Sequence, residues 1–68
     1  LNQKFMETVK VYSPIEDKNI QKNLQNSLIW HQAYHEEELE GKYFNTLFEY
    51  TIKFSGLKPV MVTKVRKL

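Results

Sequence analysis

The sequence predicts a small α+β domain, one helix packed on a mostly antiparallel sheet in the order β-α-β-β-β. From Tyr43 to Phe54, the residues Phe44, Thr46, Phe48, Tyr50, Ile52 and Phe54 alternate with Tyr43, Asn45, Leu47, Glu49, Thr51 and Lys53. That period of two is the pattern of a strand with one face on a core and the other toward water. Upstream, Ser13-Pro14-Ile15-Glu16 places a hydroxyl at a cap, proline at a first helical position and glutamate three residues after the serine, and Ile20, Leu24 and Leu28 follow at helical spacing.

Length and composition bound the rest. The 68 residues make one domain, 1–68, and a chain this short buries only about 60% of its unfolded surface. The absence of cysteine removes disulfides, thiolate metal ligands and thiol nucleophiles. No apolar run approaches the roughly 18 residues of a membrane span, and no stretch has the charged and apolar regions of a signal peptide. A cytoplasmic location is expected. The net charge is only +2, but its distribution is uneven. Glu36, Glu37, Glu38 and Glu40 form an acidic knot, whereas Thr51 to Leu68 carries Lys53, Lys58, Lys64, Arg66 and Lys67 with no acid.

Taken in order, Phe5 to Tyr12 reads as a first strand with Phe5, Val9 and Val11 on one face. The helix starting at Ser13-Pro14 has two possible ends. If it stops near Asn26, Leu28 to Glu38 forms a strand, joined to the central one by the turn Leu39-Glu40-Gly41. In that register Tyr34 faces Thr46, Trp30 faces Tyr50 and Leu28 faces Ile52 on the apolar side, and this hairpin is the favoured arrangement. The alternative is one long helix over 14–40 in the order β-α-β-β, closed by Gly41 in the left-handed conformation. Gly41 takes a positive φ in both. After a turn at Ser55-Gly56-Leu57-Lys58, Pro59 to Leu68 forms the last strand. Phe54 pairs with Pro59, so Met61, Thr63 and Val65 fall opposite Ile52, Tyr50 and Phe48, and Lys64 falls opposite Glu49.

Few residue groupings suggest chemistry. His31 and His35 lie four apart, half of a zinc site on a helix but too far apart on a strand, and no third ligand accompanies them. The four glutamates read as a solvated tip rather than a catalytic pair, which needs one buried acid. With Gly41 and Gly56 the only glycines, there is no phosphate loop. The expectation is therefore not an enzyme, with no cofactor and no metal.

Two surfaces remain. The aromatic sheet face is wider than a short helix can cover, which predicts a protein interface at Trp30, Tyr34, Phe44 and Phe48, serving a homodimer or an inhibitor-like contact with another protein. The function expected first is this small regulatory interaction module. The alternative is nucleic-acid binding by the basic outer face, through Lys53, Lys58, Lys64, Arg66 and Tyr43, where charges hold phosphates and a ring stacks on bases. No membrane role is expected.

The order strand, helix, long strand, long strand, with Trp30 opening the second strand and Tyr50-Thr51-Ile52-Lys53-Phe54 in the third, resembles the small flavin-storing dodecins. The resemblance covers Val9 to Phe54 and implies a flavin stacked on Trp30. It departs from that family in a shorter helix and a fourth strand.

Overall fold

The alternating segment is the middle strand of the sheet. A computed structural model describes residues 6–68, in which the elements are β1 (Met6–Pro14), α1 (Lys18–Leu24), α2 (Leu28–Ala33), α3 (His35–Leu39), β2 (Leu47–Ser55) and β3 (Lys58–Lys67). The sheet is antiparallel in the order β1-β2-β3. The fold class is α+β, with three short helices on one face of three strands. Phe5 lies outside the described residues.

Phe48, Tyr50 and Ile52 on β2 are the most deeply buried side chains, as their parity predicts. Val62 and Val65 of β3 flank them, and Ile15, Ile20, Leu24, Trp30 and Tyr43 close over them from the helical layer. This is an interior of aromatic edges and faces. Phe48 meets Trp30, Tyr34 and Tyr43 edge-on, and Trp30 and Tyr34 stack at 5.4 Å.

The segment 28–38 is helical, which corrects the expected hairpin, and the helix is broken into pieces, which corrects the single helix over 14–40. Three local devices cause the breaks. Asp17, not Ser13, is the first cap: its carboxylate accepts from the amides of Asn19 at 2.9 Å and Ile20 at 3.2 Å. Pro14 instead ends β1. Ser27 then caps α2 by accepting from the Trp30 amide at 3.2 Å. The restart shifts the helical phase, so Leu28 is exposed and Trp30 takes the inward position. At Tyr34, φ −130° separates α2 from α3. The acidic knot supplies Glu36, Glu37 and Glu38 to the first turn of α3, where negative charge suits the positive end of the helix dipole.

The α3 terminus is a Schellman motif. The Lys42 amide donates to the Glu37 carbonyl at 3.1 Å, the Gly41 amide to the Glu38 carbonyl at 3.0 Å, and Gly41 has φ +82°. A Cβ at Gly41 would meet nothing within 4 Å, so substitution there costs backbone strain without a clash. Gly41→Val is expected to lower stability by about 1–3 kcal/mol. Gly41→Asn should cost well under that, because asparagine tolerates the left-handed region. Urea unfolding of the two variants checks the difference, and equal losses would contradict a purely conformational role.

Past Gly41, Asn45 has φ +56°, which interrupts the alternation before β2 begins. Tyr43 therefore turns inward and Phe44 outward, the reverse of their expected sides. The β2–β3 turn is as expected at its base, with Phe54 paired to Pro59 and Gly56 at φ +64°. Beyond it, register shifts leave Val60 and Thr63 without partners on β2. Val62, not Met61, pairs with Ile52 and is buried, while Met61 is exposed. Val65 faces Tyr50, and Arg66 rather than Lys64 faces Glu49.

Candidate nucleic-acid interface

The helices cover one face of the sheet, and the strand registers determine what the other face carries. Four cross-strand rows run over it: Tyr12, Glu49 and Arg66; Lys10, Thr51 and Lys64; Thr8, Lys53 and Met61; Met6, Ser55 and Lys58. Lys58, opposite Ser55 at the turn end, has the same parity.

Glu49 anchors the first row. Only 5% exposed, its carboxylate accepts from the Tyr12 hydroxyl at 2.7 Å and from Arg66 Nε and Nη2, each at 3.3 Å. A carboxylate buried among strands needs such partners to offset its desolvation. The Tyr12 hydrogen bond, followed by that of Arg66, holds the Glu49 pKa below its ordinary value, and the same bond raises that of Tyr12. Glu37 on α3 is lowered likewise, first by the Tyr43 hydroxyl, and Tyr43 is pushed up to about 12.

A depressed carboxyl pKa contributes stability that is complete above the unfolded value, about 4.3, and is lost as pH falls through the folded value. Stability measured by urea unfolding should therefore decline from about pH 5 downward. Glu49→Gln and Glu37→Gln should each flatten that decline. An acid limb unchanged in both variants would show that these hydrogen bonds do not act in solution.

Charge is divided between the two sides of the sheet. Of the eight acidic residues, Glu49 alone lies on the open face, and Arg66 offsets it. Glu16 and Asp17 precede α1, Glu36 to Glu40 belong to α3 and its cap, and Glu7 has the opposite parity, paired with Phe54. Lys10, Lys53 and Lys64, also on the open face, form no ion pair among the described residues.

Of the basic set read from sequence, Lys53, Lys64 and Arg66 share this face and Lys58 borders it. Tyr43 does not. It is buried on the helical side against Phe48, its hydroxyl on Glu37. The ring on the open face is Tyr12, and the added cation is Lys10. Their signal was present in the first strand, where Lys10 and Tyr12 have the parity opposite to Val9 and Val11, but no pairing partner for that strand was legible.

The aromatic residues expected to form an interface do not make one surface. Trp30 and Phe48 are interior, Tyr34 is half-buried with its hydroxyl donating to the Val65 carbonyl at 3.4 Å, and Phe44 is 77% exposed. The helical layer buries the Phe48, Tyr50 and Ile52 part of that sheet face, while Val9 on the same face is 39% exposed. Trp30, 3% exposed and on a helix, also lacks the open strand position that the dodecin resemblance implied. His31 and His35 lie with ring centroids 4.6 Å apart, and His31 Nε2 is 2.9 Å from the Gln25 carbonyl. Among the described residues, no three potential ligands converge on a metal position and no helix is long and apolar enough to cross a membrane. No protein-family model, curated protein or solved structure matches the chain.

Proposed function

We propose that this chain is a non-enzymatic nucleic-acid-binding domain of the cytoplasm that lays the open face of its sheet on a phosphate backbone. The observation that carries this reading is the segregation of charge: Lys10, Lys53, Lys64 and Arg66 lie on one face, with a single, internally paired acid among them. Cations that neutralise phosphates release condensed counterions, so the affinity must fall with salt. Tyr12, half-exposed beside them, offers a ring to a base or sugar. A protein partner held by the aromatic set has less support, because Trp30 and Phe48 are occupied in the chain's own core.

The test is fluorescence anisotropy with 20-base-pair and 20-nucleotide probes at increasing salt. A plot of log affinity against log salt should have a slope of about −3, the value for three to four phosphate contacts. Reversing Lys64 and Arg66 together to glutamate should abolish binding, while reversing Lys18 and Lys22 on α1 should leave it nearly intact. Equal losses from the two pairs would replace the proposed face with diffuse attraction to the whole molecule.

A further inference from the structure

We infer that Arg66 is a base-reading side chain that selects guanine in the major groove of duplex DNA, with Glu49 as the residue that positions it. This rests on the nucleic-acid reading above and adds the base, the groove and the contact atoms. A guanidinium has five N–H donors in a rigid fork. Glu49 takes the Nε hydrogen and one Nη2 hydrogen. The end of the fork, with both Nη1 hydrogens and the second Nη2 hydrogen, makes no hydrogen bond among the described residues, and the Arg66 side chain is 57% exposed.

Two parallel N–H groups at that end match guanine O6 and N7, both acceptors on the major-groove edge. Adenine presents a donor beside N7 and cannot accept both. Glu49 is held in turn by the Tyr12 hydroxyl from β1, so the guanidinium plane is fixed from two strands before any DNA arrives. Such a prepaid orientation distinguishes a reader from a lysine that only meets phosphate.

The surroundings fit the same groove. β2 and β3, which carry Glu49, Lys64 and Arg66, pair as a two-stranded ribbon, the form of sheet that a major groove of about 12 Å admits. In the next row, Lys64 beside Arg66 on β3 and Lys10 across the sheet on β1 supply cations for the phosphates that border the groove. An A-form RNA duplex has a major groove too narrow for this approach.

The experiment uses three 20-base-pair DNA duplexes of equal charge: alternating G and C, the same duplex with 7-deazaguanine for every guanine, and alternating A and T. The phosphate contribution is common to all three. The unmodified G and C duplex should bind about 5- to 150-fold more tightly than the other two, the range for one bidentate base contact. Arg66→Met should erase that preference, whereas Lys64→Met should keep it and lower the salt slope by about one. Glu49→Gln should shrink the preference without reducing the slope, and an unchanged preference would remove Glu49 from the positioning role.

Salt-dependent binding of equal strength to all three duplexes would overturn guanine reading and leave phosphate binding standing. No salt-dependent binding to any of them, nor to the 20-nucleotide single strand, would overturn both. A guanine preference that survives 7-deazaguanine, or Arg66→Met, would show that the selectivity does not come from this side chain at N7.

Discussion

Trp30→Ala should cost about 3–5 kcal/mol, the usual loss for deleting a large buried aromatic side chain. At about 0.05–0.15 kcal/mol per residue, a chain of 68 residues holds about 3–10 kcal/mol in total. The variant should therefore be substantially unfolded near room temperature. The size of the loss follows from position. Trp30 is 3% exposed, stacks on Tyr34 and meets Phe48 edge-on at 5.7 Å, so α2 has no other large apolar anchor on the sheet. Far-UV circular dichroism during urea titration is the suitable measurement, because Trp30 is the only tryptophan and its fluorescence is lost with it. A shift below about 1 kcal/mol, the level of an ordinary surface substitution, would mean that α2 does not dock on the sheet as described.

Phe48→Ala should be at least as damaging, again about 3–5 kcal/mol, because Phe48 is the residue that the other rings share. Tyr43 and Tyr34 approach it edge-on at 5.2 and 5.4 Å, Trp30 at 5.7 Å, and Tyr50 stacks at 6.0 Å. Removing it leaves a cavity bounded by α2, by the loop carrying Tyr43 and by β2 at once, elements that cannot collapse together without breaking the sheet. Phe48→Leu keeps most of the volume and loses mainly the ring geometry, so about 1–2 kcal/mol is expected. Urea midpoints of the two variants separate cavity from ring geometry, and similar small losses in both would contradict a hub at this position.

Trp30 also shows how a correct expectation can have the wrong cause. Its burial was legible as an aromatic residue in phase with other apolar positions, but the phase was assigned to a strand. Trp30 and Tyr34 are four apart, and a spacing of four is both an even number and about one helical turn. Such a pair satisfies either period, and the alternation of 28–38 could not tell them apart. What separated them was bonding between the ends: the Ser27 hydroxyl on the Trp30 amide, and the Gly41 and Lys42 amides on the α3 carbonyls.

The basic face illustrates the opposite case. Its residues on β3 were identified from an unbroken register that does not exist, yet Lys64 and Arg66 do lie on the open side. The shift at Val60 inverts the parity of β3 and the shift at Thr63 restores it. Only Met61 and Val62, between them, exchange sides, and the residues beyond return to their expected face opposite different partners. That change of partner is what brings Arg66 rather than Lys64 to Glu49.

The sequence by itself determined the inward row Phe48, Tyr50 and Ile52, the left-handed Gly41, the pairing of Phe54 with Pro59 and the sidedness of Lys53, Lys64 and Arg66. All of these follow from chain neighbours, through side-chain alternation, glycine's freedom of φ and the short reach of a hairpin turn. Only the tertiary structure decided that β1 pairs with β2, that α2 rather than a fourth strand covers the aromatic face, and that Tyr12 and Arg66 converge on Glu49. These depend on which distant surfaces bury each other best and on bulges that reset the register midway along β3. A bulge is a choice of the paired strands together, and neither strand's own pattern of residues records it.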